Sequence, residues 1–266
     1  MSFYYPKTPF SLAGKTLVVP IVSAGNVSQL AVDLLIASFS LKHVGIFNPK
    51  DVIPVVAARE DGESGVTTPI ELYGQDGVSI VVVQQRSPAL KNRKQEFTES
   101  LLDFIQTSGI ASVLFLSGIN SSNRADSQMI TPTYHIVPSN SPSIAQTSLS
   151  SILNLPIPSY TSPSPQYRLS DQVIRPIEST PIPFIPGGGL TRRILSTIST
   201  YPSSWSIPTA CLLQFVMEGD NRGDAHLLAA VSAKVLGIDA RITEWKQPSS
   251  WQVGLFGTGH DQTLYG

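Results

Sequence analysis

One cysteine in 266 residues, Cys211, leaves no internal disulfide to staple the fold, so the chain must hold itself together by burial and suits a reducing compartment. Charge is scarce as well, with Asp, Glu, Lys and Arg at 14% and a net charge of −1. That balance gives no general pull toward phosphate backbones or anionic lipid, which argues against nucleic acid or a membrane surface as a partner. No apolar run reaches the length of a membrane span, and Met1-Ser2-Phe3-Tyr4-Tyr5-Pro6 has neither the basic nor the apolar region of a secretory signal. A cytoplasmic or nuclear protein is expected. Recognisable catalytic motifs are missing too: there is no P-loop, no G-x-G-x-x-G, no H-E-x-x-H and no calcium loop.

What is present is an alternation of strand and helix patterns in a chain that is 41% apolar. Thr16 to Val22 is a short β-branched run of the kind covered on both faces. A helix follows, with Asn26 as its expected cap, Gln29 three residues on, and Val27, Leu30, Ala31, Leu34 and Leu35 on one stripe. Further strands are expected at His43 to Phe47, Val52 to Ala57, Ile70 to Tyr73 and Val78 to Gln85. Lys91 to Ser108 reads as a helix with Phe97, Leu101, Phe104 and Ile105 on one side; Gly109 ends it, and Ile110 to Leu116 is the next buried strand. Near the C-terminus Thr209 to Met217 is a strand, Asp220 or Asn221 caps a helix carrying Leu228, Val231 and Val235, and Gly237 stops it. Strands alternating with helices imply crossover connections: an α/β fold with a mainly parallel central sheet flanked by helices.

One stretch departs from this pattern. Ten of the 21 prolines fall between Pro138 and Pro186, among many serines and threonines and few charges. Residues 139–175 are therefore expected to be a disordered or loosely held insertion. The insertion is not a linker, because neither flank carries enough elements for its own core, so residues 1–266 form a single domain. Pro186-Gly187-Gly188-Gly189 closes it and leads into a short helix with Leu190, Ile194 and Ile198 on one face.

Several places could host chemistry. Ser23 to Asn26 lies between a strand and a helix N-terminus, where an anion could sit, and Gly187 to Gly189 could approach a phosphate. An ordinary cap and an ordinary glycine turn explain both more simply. Glu218, Asp220, Asp224 and His226 could supply an acid, a base or a metal ligand, but acidic groups at a helix start also complement its dipole. His43, His135 and His260 are scattered, and Cys211 sits inside an apolar strand as a buried, inert thiol. No catalytic residue, cofactor or metal site is assigned.

The end of the chain is more suggestive. Leu264, Tyr265 and Gly266 offer an apolar side chain, a phenol and a carboxylate, three handles another protein could grip. They follow Gly257 to Thr263, a polar, glycine-containing stretch expected to act as a flexible tether, so that residues 257–266 form a tail. Fifteen residues beyond Trp251 could extend about 50 Å.

Four separated segments carry a resemblance to a known family. Leu12 to Leu34 (LAGKTLVVPIVSAGNVSQLAVDL), Pro186-Gly187-Gly188-Gly189-Leu190-Thr191, Glu218-Gly219-Asp220-Asn221-Arg222, and Pro248-Ser249-Ser250-Trp251 to Leu255-Phe256-Gly257 occur in the order of the proteasome assembly chaperone 2 family. The resemblance spans nearly the whole chain outside the proline-rich stretch. It implies an α/β domain related to purine nucleoside phosphorylase-like folds, without catalytic activity or cofactor. It also implies a heterodimer with proteasome assembly chaperone 1 that binds the α subunits of the 20S proteasome core during ring assembly. In that family a C-terminal hydrophobic-Tyr-X tail inserts between neighbouring α subunits, a pattern that Leu264, Tyr265 and Gly266 match. Two other functions are consistent with the residues: a proteasome activator using the same tail on mature particles, and a small-ligand enzyme of nucleoside type acting near Ser23 to Asn26.

Overall fold

Runs of β-branched residues form strands whose alternate side chains must be buried on opposite faces. The computed structural model of the chain describes residues 2–60, 64–162, 167–170, 173–176, 181–201 and 205–253. Its strands are Tyr4–Pro6 (β1), Thr16–Pro20 (β2), Lys42–Phe47 (β3), Ala57–Ala58 (β4), Val66–Thr67 (β5), Ile70–Gly74 (β6), Ile80–Gln85 (β7), Ser112–Asn120 (β8), Thr133–Ile136 (β9), Tyr167–Ser170 (β10), Val173–Pro176 (β11) and Thr209–Val216 (β12). The helices are Val27–Ser38 (α1), Lys94–Thr107 (α2), Gly189–Ser199 (α3) and Arg222–Val235 (α4).

Eight strands make one sheet in the order β1-β3-β6-β7-β2-β8-β12-β9. The expected parallel sheet is its centre, where β7, β2, β8 and β12 run parallel. Its flanks are antiparallel: β6, β3 and β1 on one side and β9 on the other. Of these antiparallel pairs β6–β7 is joined directly as a hairpin, without the helical crossover that parallel pairing demands.

Alternation along the central strands divides the core in two. Leu17, Val19, Val81, Val83, Val113, Phe115, Cys211 and Leu213 join Phe97, Leu101 and Ile105 of α2 and Ile194, Leu195 and Ile198 of α3. Val18, Val82, Leu114, Leu116, Ala210 and Leu212 face Val27, Ala31 and Leu35 of α1 and Leu228, Ala229 and Ala233 of α4. The result is three layers, α2 and α3 on one face and α1 and α4 on the other.

Most expected elements occur within a few residues of their expected bounds, with three differences. Val52 to Ala57 is not a strand: Val52 makes a single bridge to Ala89, and only Ala57–Ala58 pairs. Pro54 lies in the middle of that run and has no N–H to give a ladder. Asn26 does not cap α1 through its side chain. The chain reaches the helix through a 3₁₀ turn, Ala24–Asn26, with Gly25 and Asn26 at φ 62° and 52°. Left-handed backbone there takes the Asn26 side chain off the helix N-terminus, and Gln29 instead donates weakly to it at 3.4 Å.

The third difference concerns the proline-rich stretch. Within 139–162 the chain is packed rather than loosely held: Ile144, Leu149, Ile152 and Ile157 are buried on the α1/α4 side and Tyr160 on the other. Tyr160 N–H donates to His135 O at 2.9 Å and His135 N–H to Pro158 O at 3.0 Å, covering the open edge of β9. Ser148 hydroxyl meets Thr16 Oγ1 at 2.6 Å, and a 3₁₀ turn at Ser150–Leu153 lies against α4. Prolines forbid a regular element here, but scattered isoleucines and leucines still fill a groove. Farther on, β10 and β11 pair as an antiparallel ribbon, while 163–166, 171–172 and 177–180 lie outside the described residues.

Leu149 is fully buried, so Leu149→Ala should lower the free energy of unfolding by about 2–5 kcal/mol. Denaturant titration measures this, and an unchanged midpoint would show that the stretch adds nothing to the core.

Candidate functional site

The four sequence segments that stand out resolve to two places. Three of them meet where β2, β8 and β12 end. Gly118 N–H donates to Ser23 Oγ at 2.7 Å, and Ser23 Oγ donates to Ile21 O at 2.8 Å. Asn120 N–H donates to Pro186 O at 2.9 Å, and Asn221 Nδ2 donates to Gly25 O at 3.1 Å. A Cβ on Gly118 would fall 2.3 Å from Ala24 O, so only glycine lets these backbones approach. In an open α/β sheet this end of the strands is where a ligand would sit. Here the turn at Ser23 to Asn26 is occupied by the chain itself, and Gly187 packs on Ala24 and Asn120 as a turn residue at φ 75°.

The fourth segment seats the C-terminal end of the described chain. After α4, Lys246 N–H donates to Ser38 Oγ at 2.9 Å and Trp251 is buried in the α1/α4 core. Between them Glu60, just past β4, accepts three hydrogen bonds: from Ser249 Oγ at 2.8 Å, Ser250 N–H at 2.9 Å and Ser250 Oγ at 2.6 Å. Burial alone would raise the Glu60 carboxyl, but the Ser250 and Ser249 donors outweigh it and hold it below its ordinary value.

A cavity of about 310 Å³ opens beside this seat, lined by Asp33, His43, Arg59, Tyr73, Arg86 and Lys246 among others. Two of these lining residues are held by Glu71 of β6, which accepts from Arg59 at 2.9 Å and Tyr73 hydroxyl at 2.7 Å as well as from Thr68 N–H at 2.8 Å, with His43 Nε2 at 3.8 Å. Burial pushes Glu71 up, yet these donors and the nearby cations win and keep its carboxyl ionised below the ordinary range. Burial and the neighbouring Glu71 carboxylate push the Tyr73 phenol well up, and burial draws His43 down. At neutral pH the cluster is therefore a carboxylate, a phenol and a neutral imidazole around Arg59. Asp33 of α1 sits 3.1 Å from Arg86 and accepts from Gln84; its burial raises its carboxyl against the pull of Arg86.

These carboxylates hold cations and hydroxyls in place. Among the described residues no group of three His, Cys, Asp or Glu side chains could hold a metal ion, and no helix is long and apolar enough to cross a membrane.

The remaining candidates are dispersed. Asp220 pairs with Arg222 and accepts from its N–H at 3.1 Å, so of the two expected caps of α4 it is Asp220 that binds the helix start. His226 stacks edge-on to Trp245, Asp224 stands in the first turn of α4, and Glu218 is exposed. His135 bonds Ile157 O through Nδ1, and burial pushes the Cys211 thiol well above its ordinary value. His260, the 257–266 tail and its Leu264, Tyr265 and Gly266 lie outside the described residues. Glu60 and Asp33 carried no signal in the sequence, because their partners lie 190 and 53 positions away, and Glu71 carried none because its nearby partners Arg59, Thr68 and Tyr73 match no motif.

A family model matches residues 17–239, and its description is the PAC2 family. The chain belongs to the PAC2 family. It is similar to proteasome assembly chaperone 2 of Bos taurus, with 34% identity over 269 residues and 96% of each chain covered. The fold is shared with Pyrococcus furiosus PbaA, an archaeal homolog of proteasome-assembly chaperone, at TM-score 0.56 and 14% identity, covering 88% of this chain and 86% of that one. It is shared also with Pyrococcus furiosus PbaB, an archaeal proteasome activator, at TM-score 0.55 and 14% identity over 91% and 95%. All four segments that set this PAC2-family chain apart in sequence thus have structural work, three closing one end of the sheet and one fastening the C-terminal segment.

The Glu60 seat titrates. With its folded pKa held below the ordinary 4.5, Glu60 contributes stability that is fully present above that value and lost as pH falls through the folded pKa. Glu60→Gln should remove this acid step and, at neutral pH, speed amide exchange at Ser250 and Trp251 roughly fivefold, about 1 kcal/mol for a half-exposed anchor. Equal exchange in the two proteins would mean the seat is held by Trp251 alone.

Proposed function

We propose that the chain is a proteasome assembly chaperone, paired with proteasome assembly chaperone 1 and acting on the α subunits of the 20S core. The observation that carries this is the match over 96% of the chain to relatives named proteasome assembly chaperone 2. It is supported by the site: where an α/β enzyme would keep an open cleft, Ser23, Asn221 and Pro186 close the strand ends, and the buried carboxylates are tied up in ion pairs.

In this mechanism the three-layer body, of phosphorylase-like architecture, is a rigid frame that performs no chemistry. Leu264 and Tyr265 enter a pocket between neighbouring α subunits, and the Gly266 carboxylate meets a cation there. The body and its partner cover the ring surface, so the tail is the second point of a bivalent contact: once the body is bound, the tail's effective concentration at its pocket is high. Holding two neighbours in register favours correct ring closure, and filling the pocket excludes regulators that use similar tails. The chain acts in the cytoplasm or nucleus, and release follows a change in the ring surface, since no nucleotide motif supplies energy.

Removing Leu264 to Gly266, or making Tyr265→Ala, should weaken binding of the heterodimer to core-particle precursors by about 30-fold, the loss of one aromatic anchor of about 2 kcal/mol, without abolishing it. Surface-immobilised precursors measure the affinity; unchanged binding removes the tail from the mechanism. Preference for mature cores, together with faster peptide hydrolysis, would make the chain an activator instead.

A further inference from the structure

The β4–β5 ribbon stands outside the main sheet, and its outer surface is apolar. Val56 is 75% exposed and Val66 54%, with Ile53 and Val55 also open to solvent. Two strands of two residues each, Ala57–Ala58 against Val66–Thr67, are too short to be stable by themselves in water. Arg59 ties the ribbon inward to Glu71, and Glu60 ties it to Ser249 and Ser250, but neither contact covers the valines.

A groove of about 320 Å³ opens at this surface, its apolar lining Val55, Val56, Ala57 and Ala58 and its polar lining including Glu60, Arg86 and Ser250. The C-terminal segment therefore already forms part of the groove wall. From Ser250 the sequence continues Trp251-Gln252-Val253-Gly254-Leu255-Phe256-Gly257, without a charge until the far side of Thr258-Gly259. Leu255 and Phe256 are a pair of large apolar side chains between two glycines, five and six residues beyond Ser250. Ser249–Val253 is a 3₁₀ turn rising about 2 Å per residue, so with two further extended residues Leu255 reaches about 13 Å from Ser250, enough to meet valines that line the same groove as Ser250. A solvent-exposed valine face, a groove that this segment helps to line, and an uncharged apolar pair within reach are complementary.

We propose that Leu255 and Phe256 of the same chain dock in the Val55–Val56 groove and cover the β4–β5 ribbon. The contact extends the Glu60 seat by six residues, so the free part of the C-terminus starts at Gly257 rather than after Trp251. Ten residues then remain, with a reach of about 35 Å instead of about 50 Å. Glu60 and the valines together would act as a positioning device that sets where the tail leaves the body and how far it extends. This contact lies within one chain and stands or falls whatever the tail binds.

The test places a photoreactive benzoyl-phenylalanine at position 256 of the full chain and maps the crosslinks by mass spectrometry. The expected result is intramolecular crosslinks to residues 55–58 or Val66, reduced at least fivefold by Val56→Asp. In parallel, Phe256→Ser should raise amide exchange in 55–58 and 64–67 at least threefold while leaving the β8 amides unchanged. Crosslinks elsewhere in the body, between two copies, or to an added partner chaperone, or an absence of crosslinks with unaltered exchange, would overturn the assignment.

Discussion

Burial on both faces of the four parallel strands β7, β2, β8 and β12 is the constraint from which the rest follows. A strand with both faces dry cannot stand at the surface, so each side needs its own layer of helix. The second layer cannot form without crossovers, and the crossovers must turn tightly at the strand ends. That is why Gly118 is packed against Ala24 O and why Asn221 reaches back to Gly25. Segments that are distinctive in sequence are those that meet these close approaches. A corner that in a nucleotide-binding α/β protein holds a ligand is here closed by the chain's own backbone and side chains.

The antiparallel flank solves a different problem. On and beside it, each buried carboxylate acquires a guanidinium: Glu71 of β6 with Arg59, Asp51 after β3 with Arg93, and Asp33 of α1 with Arg86. Such pairs return little net stability over an apolar core, because desolvation offsets most of the attraction. What they provide is direction. Arg59 fixes the β4–β5 ribbon to the sheet, and Glu60 next to it fixes Ser249 and Ser250 to the ribbon. In the proposed mechanism such a fixed origin matters, since the effective concentration of a tethered group depends on where the tether starts and how long it is.

Much of this was visible in the sequence where the signal is local. The stripes of α2 and α3 and the apolar runs of β2, β7 and β12 announce themselves by pattern alone. Asn26 misled because a capping residue is recognised by type, whereas its use depends on a backbone turn that two left-handed residues redirect. The proline-rich stretch misled for a similar reason: composition reports what a segment cannot form, not what a groove elsewhere offers it. Ile144, Leu149, Ile152 and Ile157 have no period to betray them, yet the core on the α1/α4 side takes all four. Glu60 was invisible because its three donors come from the opposite end of the chain.

The sequence by itself determined the layered α/β class, the two-sided strands and the family, because hydrophobic period and contiguous segments are properties of neighbouring residues. Only the tertiary structure decided that the sheet's flanks turn antiparallel, that the strand ends are sealed, and that the C-terminal segment is anchored on Glu60. Those outcomes rest on hydrogen bonds and ion pairs between residues tens to hundreds of positions apart, whose partners exist only once the chain has folded.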